Sequence, residues 1–142
     1  MLLEVEQNDK ILEVGTGSGY QAAVLLEMGA KVFTIERQKE LFQKVQLFLS
    51  EIGYSPVCFF GDGYKGLPNF APFDKIIVTA GASEIPKDLK YQLKIGGRLV
   101  IPVGTPKRQE MQVVQRVSEE DFRTEKHGGF VFVPLLKGTV NF

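Results

Sequence analysis

Apolar positions in this chain come in short blocks separated by polar, glycine-rich punctuation. Ile11, Leu12 and Val14 form a compact run that stops at Gly15, Gly17 and Gly19. An apolar run this short, bounded by glycine, predicts a buried strand and a turn. Ala22, Ala23, Leu25, Leu26 and Met28 then follow at helical spacing. Lys31-Val-Phe-Thr-Ile35 predicts a second strand ending in Glu36, and Leu41, Val45, Phe48, Leu49 and Ile52 give the apolar stripe of a helix over Gln38–Ile52. Gly53 closes that helix. Pro56–Phe60 predicts a third strand, closed by Gly61-Asp62-Gly63, and a loop with Pro68 and Pro72 follows.

Phe73–Val78 contains a fourth strand that runs into Thr79-Ala-Gly-Ala82. Pro86 suits the first turn of a helix reaching Leu93, because its missing N–H is not needed there. Lys94-Ile-Gly-Gly97 predicts a turn and Arg98–Val103 a fifth strand. Pro102 cannot donate to a ladder, so it marks a strand end or an irregularity. Two further strands, Glu110–Val117 and roughly Phe130–Leu135, look antiparallel, with the polar stretch Ser118–Gly129 between them. Strands interleaved with helices predict an α/β fold around a mostly parallel sheet with right-handed crossovers. In such sheets ligands bind beyond the carboxyl ends of the strands. Gly15–Gly19, Glu36, Asp62 and Thr79 each follow a predicted strand directly.

Composition narrows the class. The chain has 142 residues, of which 44% are hydrophobic, and this predicts one globular domain. A domain of that size buries ~68–70% of its unfolded surface. Lys+Arg and Asp+Glu are both 17, and the basic residues are scattered. Neither a nucleic-acid footprint nor an anionic-membrane surface is expected. The apolar runs fall short of the ~18 residues of a membrane span, and Met1-Leu-Leu-Glu-Val-Glu lacks the basic start of a signal peptide. A cytoplasmic protein is the expectation. Cys58, the single cysteine, lies in an apolar run and predicts a reduced core thiol. His127 is the only histidine and lies in a polar stretch, where a surface role is expected. No clustering of His, Cys and carboxylates has metal-ligand spacing, and no catalytic triad order stands out.

The glycine spacing separates possible ligands. A dinucleotide fingerprint has the form G-x-G-x-x-G. Here the third glycine comes one residue early and Tyr20 takes the place of the last one. Glu13 precedes the first glycine. A carboxylate there can balance a ligand ammonium, directly or through water, but would repel a pyrophosphate. This E-x-G-x-G-x-G pattern resembles the first motif of Rossmann-like S-adenosylmethionine methyltransferases. A glycine turn that binds nothing is the other reading. Glu36 lies 21 residues beyond Gly15, the offset of the acid that takes both ribose hydroxyls in nucleoside-binding sheets. A solvated acid paired with Arg37 or Lys39 is its alternative. Arg37 leaves an NADP reading open, against which Glu36 in the ribose position argues. Asp62 is placed to accept from an exocyclic amine such as adenine's, or simply to shape an Asp-Gly turn. Thr79 and Ala80 are small, which leaves room for a substrate or serves a plain strand exit.

Taken together the chain resembles the protein-L-isoaspartate O-methyltransferase family. The residues that carry the likeness are Ile11-Leu-Glu-Val-Gly-Thr-Gly-Ser-Gly-Tyr-Gln-Ala-Ala-Val24, Gly61-Asp-Gly-Tyr-Lys-Gly-Leu-Pro68, Phe73-Asp-Lys-Ile-Ile-Val-Thr-Ala-Gly-Ala82, Leu93-Lys-Ile-Gly-Gly-Arg-Leu-Val-Ile-Pro-Val-Gly104 and Phe132-Val-Pro-Leu135. The resemblance implies a three-layer Rossmann-like methyltransferase fold, the sheet ending in antiparallel strands. It implies methyl transfer from S-adenosylmethionine, leaving S-adenosylhomocysteine, to the α-carboxylate of L-isoaspartyl residues in damaged proteins and peptides. The implied cofactor residues are Glu13, Gly15, Thr16, Gly17, Ser18, Gly19, Glu36, Arg37, Asp62, Gly63, Thr79 and Ala80. Thr79, Val133, Pro134 and Leu135 are the implied substrate contacts. No side chain is implied as an acid, base or nucleophile, and no metal.

Members of the family carry a segment of several tens of residues before the first strand, so residues 1–142 are expected to be one cofactor-binding methyltransferase domain, truncated at its N-terminus. The family is monomeric, whereas apolar surface at Leu2, Leu3 and Val5 is expected to drive self-association of this form. Two alternatives remain: a cofactor-binding domain with little or no activity, and an NADP-dependent oxidoreductase, which Tyr20 and Glu13 disfavour.

Overall fold

The computed structural model describes residues 2–130 and 135–141. Its centre is a sheet in the order β3-β2-β1-β4-β5-β6-β7. β1 (Lys10–Val14), β2 (Lys31–Glu36), β3 (Val57–Phe60), β4 (Phe73–Val78) and β5 (Leu93–Thr105) run parallel. β6 (Arg108–Arg116) and β7 (Phe122–Phe130) add antiparallel partners at one edge. α1 (Tyr20–Glu27) joins β1 to β2, α2 (Lys39–Glu51) joins β2 to β3, and the short α3 (Lys87–Lys90) precedes β5. The chain reverses direction across the sheet between β3 and β4, so β1 and β4 flank a switch point.

Side-chain alternation along the parallel strands splits the core in two. Leu12, Val14, Ile35, Ile76 and Val78 face one side and pack with Phe73, Leu67, Leu89 and Leu93. Ile11, Val32 and Val100 face the other, against Ala22 and Leu25 of α1 and Val45 and Leu49 of α2. Helices thus cover one face, and α3 with the 3₁₀ turns Gly63–Lys65 and Pro68–Phe70 covers the other. This is the expected three-layer arrangement. Each fully buried Leu or Ile contributes ~1.5–3 kcal/mol relative to an exposed one. Both cores converge on β1, whose residues 11–14 are all buried.

Several expectations need correction. The helix after Pro86 stops at Lys90, because the next residues are drawn into the sheet: Gln92 O accepts from Phe73 N. The buried Gln92 side chain also accepts from Leu67 N and donates to Lys65 O, tying down the loop after β3. Lys94–Gly97 is a bulge within β5, not a turn between elements: Phe73 pairs with Leu93, but Lys75 pairs with Arg98. Pro102 lies inside β5, opposite Met111; its carbonyl accepts from Ala82 N. The last strand among the described residues is Phe122–Phe130, so most of the polar stretch Ser118–Gly129, including His127, is paired with β6. Of the strand expected at Phe130–Leu135, residues 131–134 lie outside the described residues and Leu135 is irregular. Leu3 is 1% exposed and Val5 is half-buried against the second core, so the apolar surface expected at the start of the chain reduces to Leu2. Among the described residues no helix is long and apolar enough to cross a membrane.

Candidate cofactor site at the carboxyl ends of the strands

Beyond Val14 the backbone makes a glycine loop that the neighbouring strands hold from both sides. Gly15 N donates to Ile35 O, and Thr79 donates through its N to Val14 O and through its hydroxyl to Gly15 O. A Cβ at Gly15 would sit 2.7 Å from Thr79 Oγ1, and φ there is +95°. Close packing and backbone conformation both demand glycine at that position. Gly19 caps α1 with φ +85°, and a Cβ would meet Val45 Cγ1 of α2 at 2.9 Å. Gly17 differs: its φ is +55°, but a Cβ would point into open space.

That space is a cleft of about 440 Å³. Gly15, Gly17, Glu36, Arg37, Gly63, Thr79, Ala80 and Leu135 line it, all foreseen from the sequence. Glu36 is 6% exposed, and its carboxylate is aimed by two backbone donors. Gly17 N reaches Oε1 at 3.2 Å and Gln38 N reaches Oε2 at 2.9 Å. No ion pair joins it to Arg37 or Lys39 among the described residues, so its alternative reading as a solvated, paired acid does not describe it. Arg37 also lines the cleft, and among the described residues its buried Nε has no hydrogen-bond partner.

Other foreseen residues stand away from that wall. Ser18 is exposed and outside the cleft lining, and its hydroxyl oxygen accepts from Tyr20 N. Asp62 spends Oδ1 on Tyr64 N at 2.9 Å, opening the 3₁₀ turn as ordinary Asp-Gly chemistry does. Glu13 is fully buried under the loop, with Thr16 beside it. Thr34 bridges them: it donates to Glu13 Oε1 at 2.6 Å, and its oxygen is 2.6 Å from Thr16 Oγ1. Glu13 Oε2 has no partner among the described residues. Burial pushes the Glu13 carboxyl up from 4.5 to about 7, opposed by the Thr34 hydrogen bond and helped by the nearby Glu36 charge. Cys58 is half-buried on β3, and burial together with Glu13 raises its thiol. This suits a packing residue better than a nucleophile.

A strap of chain runs along the cleft. Leu135 N donates to Gly81 O at 2.6 Å, Val140 N to Arg37 O at 2.6 Å, and Lys39 N to Val140 O at 2.7 Å. Residues 135–141 thus cross from the exit of β4 to the exit of β2, with Leu135 and Leu136 on the cleft. Tyr64 Oη donates to Leu135 O at 3.3 Å, so both backbone groups of Leu135 already have partners within the chain. Val133 and Pro134, the other foreseen substrate contacts, lie outside the described residues. The sequence reading missed the apolar wall of Val14, Ile35, Leu41 and Leu136, and it missed Gln38 and Thr34. Thr34 had a signal: it is the one polar residue in the Val-Phe-Thr-Ile stretch of β2.

A parallel sheet of this order, with a glycine loop and an aimed acid at adjoining strand ends, defines a Rossmann-like methyltransferase fold. The sequence model of the protein-L-isoaspartate(D-aspartate) O-methyltransferase family matches residues 1–140, and the chain belongs to that family. A protein-L-isoaspartate O-methyltransferase of Christiangramia forsetii is 60% identical over 137 residues, which are 96% of this chain. The chain spans only 64% of that relative's length. A solved protein-L-isoaspartate O-methyltransferase superposes with a TM-score of 0.86 at 28% identity, over 98% of this chain and 45% of that one. A Plasmodium falciparum structure described as a protein-L-isoaspartate O-methyltransferase in complex with S-adenosyl-L-homocysteine has a TM-score of 0.74 at 22% identity, over 96% of this chain and 68% of its own, and shares the fold.

Proposed function

We propose that this chain binds S-adenosylmethionine in the cleft and serves methyl transfer to the α-carboxylate of L-isoaspartyl residues in damaged proteins. The observation that carries the reading is Glu36, a carboxylate aimed by two backbone N–H groups into a cleft with apolar walls. A fixed carboxylate accepts both hydrogen bonds of a vicinal diol such as ribose. The apolar wall suits a purine, which Gly63 would border. Open space at Gly17 admits a ligand to the loop. Neutral overall charge and scattered bases fit protein substrates over nucleic acid, and we place the activity in the cytoplasm.

The cofactor supplies an electrophilic methyl group carried on a sulfonium, and S-adenosylhomocysteine is the product. The acceptor carboxylate is already ionised at pH 7, with a reference value of ~3.3–4. No side chain is needed to remove a proton, which accords with a site without a histidine. The chain's own task is positioning, which supplies ~7–11 kcal/mol in favourable cases. Thr79 anchors the loop at the exit of β4, the small Ala80 leaves room there for a substrate, and Leu135 and Leu136 of the strap cover part of the cleft. Calorimetry with S-adenosylmethionine and with NADPH, and a methyl-release assay on an isoaspartyl peptide and its aspartyl twin, test the reading. Binding of the first ligand only, with turnover of the first peptide only, is expected. Binding of NADPH instead would overturn it, and binding without turnover would reduce the chain to a cofactor-binding domain.

A further inference from the structure

We propose that Thr34 is a positioning residue of the cofactor site: it passes the ionisation state of buried Glu13 to Thr16 and thereby sets how firmly the glycine loop is held for its ligand. The proposal rests on the S-adenosylmethionine reading above. Its basis is a chain of three side chains with little or no exposure, linked by two contacts of 2.6 Å. Glu13 and Thr34 are register partners on β1 and β2, so the sheet itself fixes their distance. A threonine hydroxyl carries one proton. With Glu13 ionised, Thr34 gives that proton to the carboxylate and accepts from Thr16, so every bond runs inward and ends on a charge. Charge-assisted bonds are the stronger ones. With Glu13 protonated on Oε1, the carboxyl donates to Thr34 and the Thr34 proton turns toward Thr16. The Thr34–Thr16 bond survives with its direction reversed but no longer leads to a charge, so the loop is held less firmly from below.

The groups that bear on Glu13 are few. Glu36 acts from the end of β2 and Cys58 from β3. α1 and α2 turn their charged residues Glu27, Lys39, Glu40, Lys44 and Glu51 to the solvent. On β4, Lys75 is engaged with Asp9 at 2.9 Å, and its register partner on β1 is Ile11. The switch is therefore a local one, read through a single hydroxyl.

The test is S-adenosylmethionine affinity of the 142-residue chain against pH, with wild type, Thr34→Val, Thr34→Ser and Thr16→Val. Wild-type affinity should rise through a midpoint near neutrality. Thr34→Val should weaken binding about tenfold at pH 7.5, the loss of one hydrogen bond to a charged group. It should also move the midpoint upward, because the bond it removes favours the ionised acid. Thr34→Ser should restore both. Thr16→Val, which leaves β2 intact, should weaken binding and flatten its pH dependence, because it cuts the path from Glu13 to the loop, and it serves if Thr34→Val fails to fold. A purely packing role would alter affinity and leave the midpoint in place. Unchanged affinity and midpoint in folded Thr34→Val would overturn the proposal. If wild type binds no S-adenosylmethionine, the functional reading falls. The amide resonances of Gly15, Gly17 and Gly19 in the free protein then decide the link alone. It stands if their pH titration vanishes in Glu13→Gln and shifts in Thr34→Val, and it falls if either variant titrates as wild type.

Discussion

Replacing Glu13 by glutamine should remove a pH dependence of stability that this one residue imposes. In the folded chain its carboxyl titrates at about 7, against an ordinary value of 4.5, chiefly because it is buried. The sign follows from linkage. Below pH 4.5 both folded and unfolded chains hold the proton, and the group contributes no pH dependence. Between 4.5 and 7 the unfolded chain has released it while the folded chain still binds it, so stability falls as pH rises. Above 7 both have released it and the curve levels. At ~1.36 kcal/mol for each pH unit the loss across the window is ~3 kcal/mol, which matters against a total of ~5–15 kcal/mol for a domain. Glutamine keeps the shape and the acceptor for Thr34, but does not ionise. Its amide leaves a donor near the unpartnered Oε2 position, at a pH-independent cost of ~1–3 kcal/mol. The absolute ranking of the two proteins is therefore less telling than the difference between their slopes. Urea unfolding at a series of pH values from about 4 to about 8 measures it. Wild type should lose ~3 kcal/mol more than Glu13→Gln across that range. Parallel stability curves would show that the acid is already ionised in the folded chain, and the argument from burial would be refuted.

Glu36→Ala should weaken S-adenosylmethionine binding more than tenfold, since hydrogen bonds to a charged acceptor contribute ~1.5–3 kcal/mol; calorimetry on a variant with a native circular dichroism spectrum checks it, and an unchanged Kd would make the ribose assignment wrong. Gly17→Val should fail to bind, because the added side chain enters the open cleft and a β-branched residue is strained at φ +55°, whereas Cys58→Ala should leave both binding and methyl release intact. Loss of methyl release in a folded Cys58→Ala would sink the packing role of that thiol.

The parts of the fold legible in the sequence are those buried on both faces. β1, β2 and β4 announce themselves because a doubly covered strand must be apolar nearly throughout, and the ends of β1 and β2 are marked by a glycine and an acid. β7 was hidden for the opposite reason. As the edge strand beyond β6 it buries little, so Arg-Thr-Glu-Lys-His carries no alternation to read, and only pairing with β6 defines it. The bulge at Lys94–Gly97 was misread because Gly-Gly signals a reversal and an irregular strand equally well. α3 ended early because Gln92 serves contacts from Leu67 and Lys65 that are remote in sequence.

The site divides along a similar line. Residues whose backbone shapes the loop or whose position ends a strand, such as Gly15, Gly17 and Glu36, were identifiable from offset alone, because offset fixes where a chain leaves the sheet. What offset does not reveal is the direction of a side chain. Glu13 precedes the glycine loop by two residues and was expected to face a ligand. The pleat instead turns it under the loop, on the same side as Ile11, while Val14 reaches the cleft. Pairing the two strands by their last residues, Val14 with Ile35, would have placed Glu13 opposite Thr34. Two polar residues facing each other in an otherwise apolar pair of central strands are costly unless bonded to one another. That cost is the physical reason to look for a role in them, and a fully buried carboxyl with one unpartnered oxygen shows that packing alone does not account for the pair.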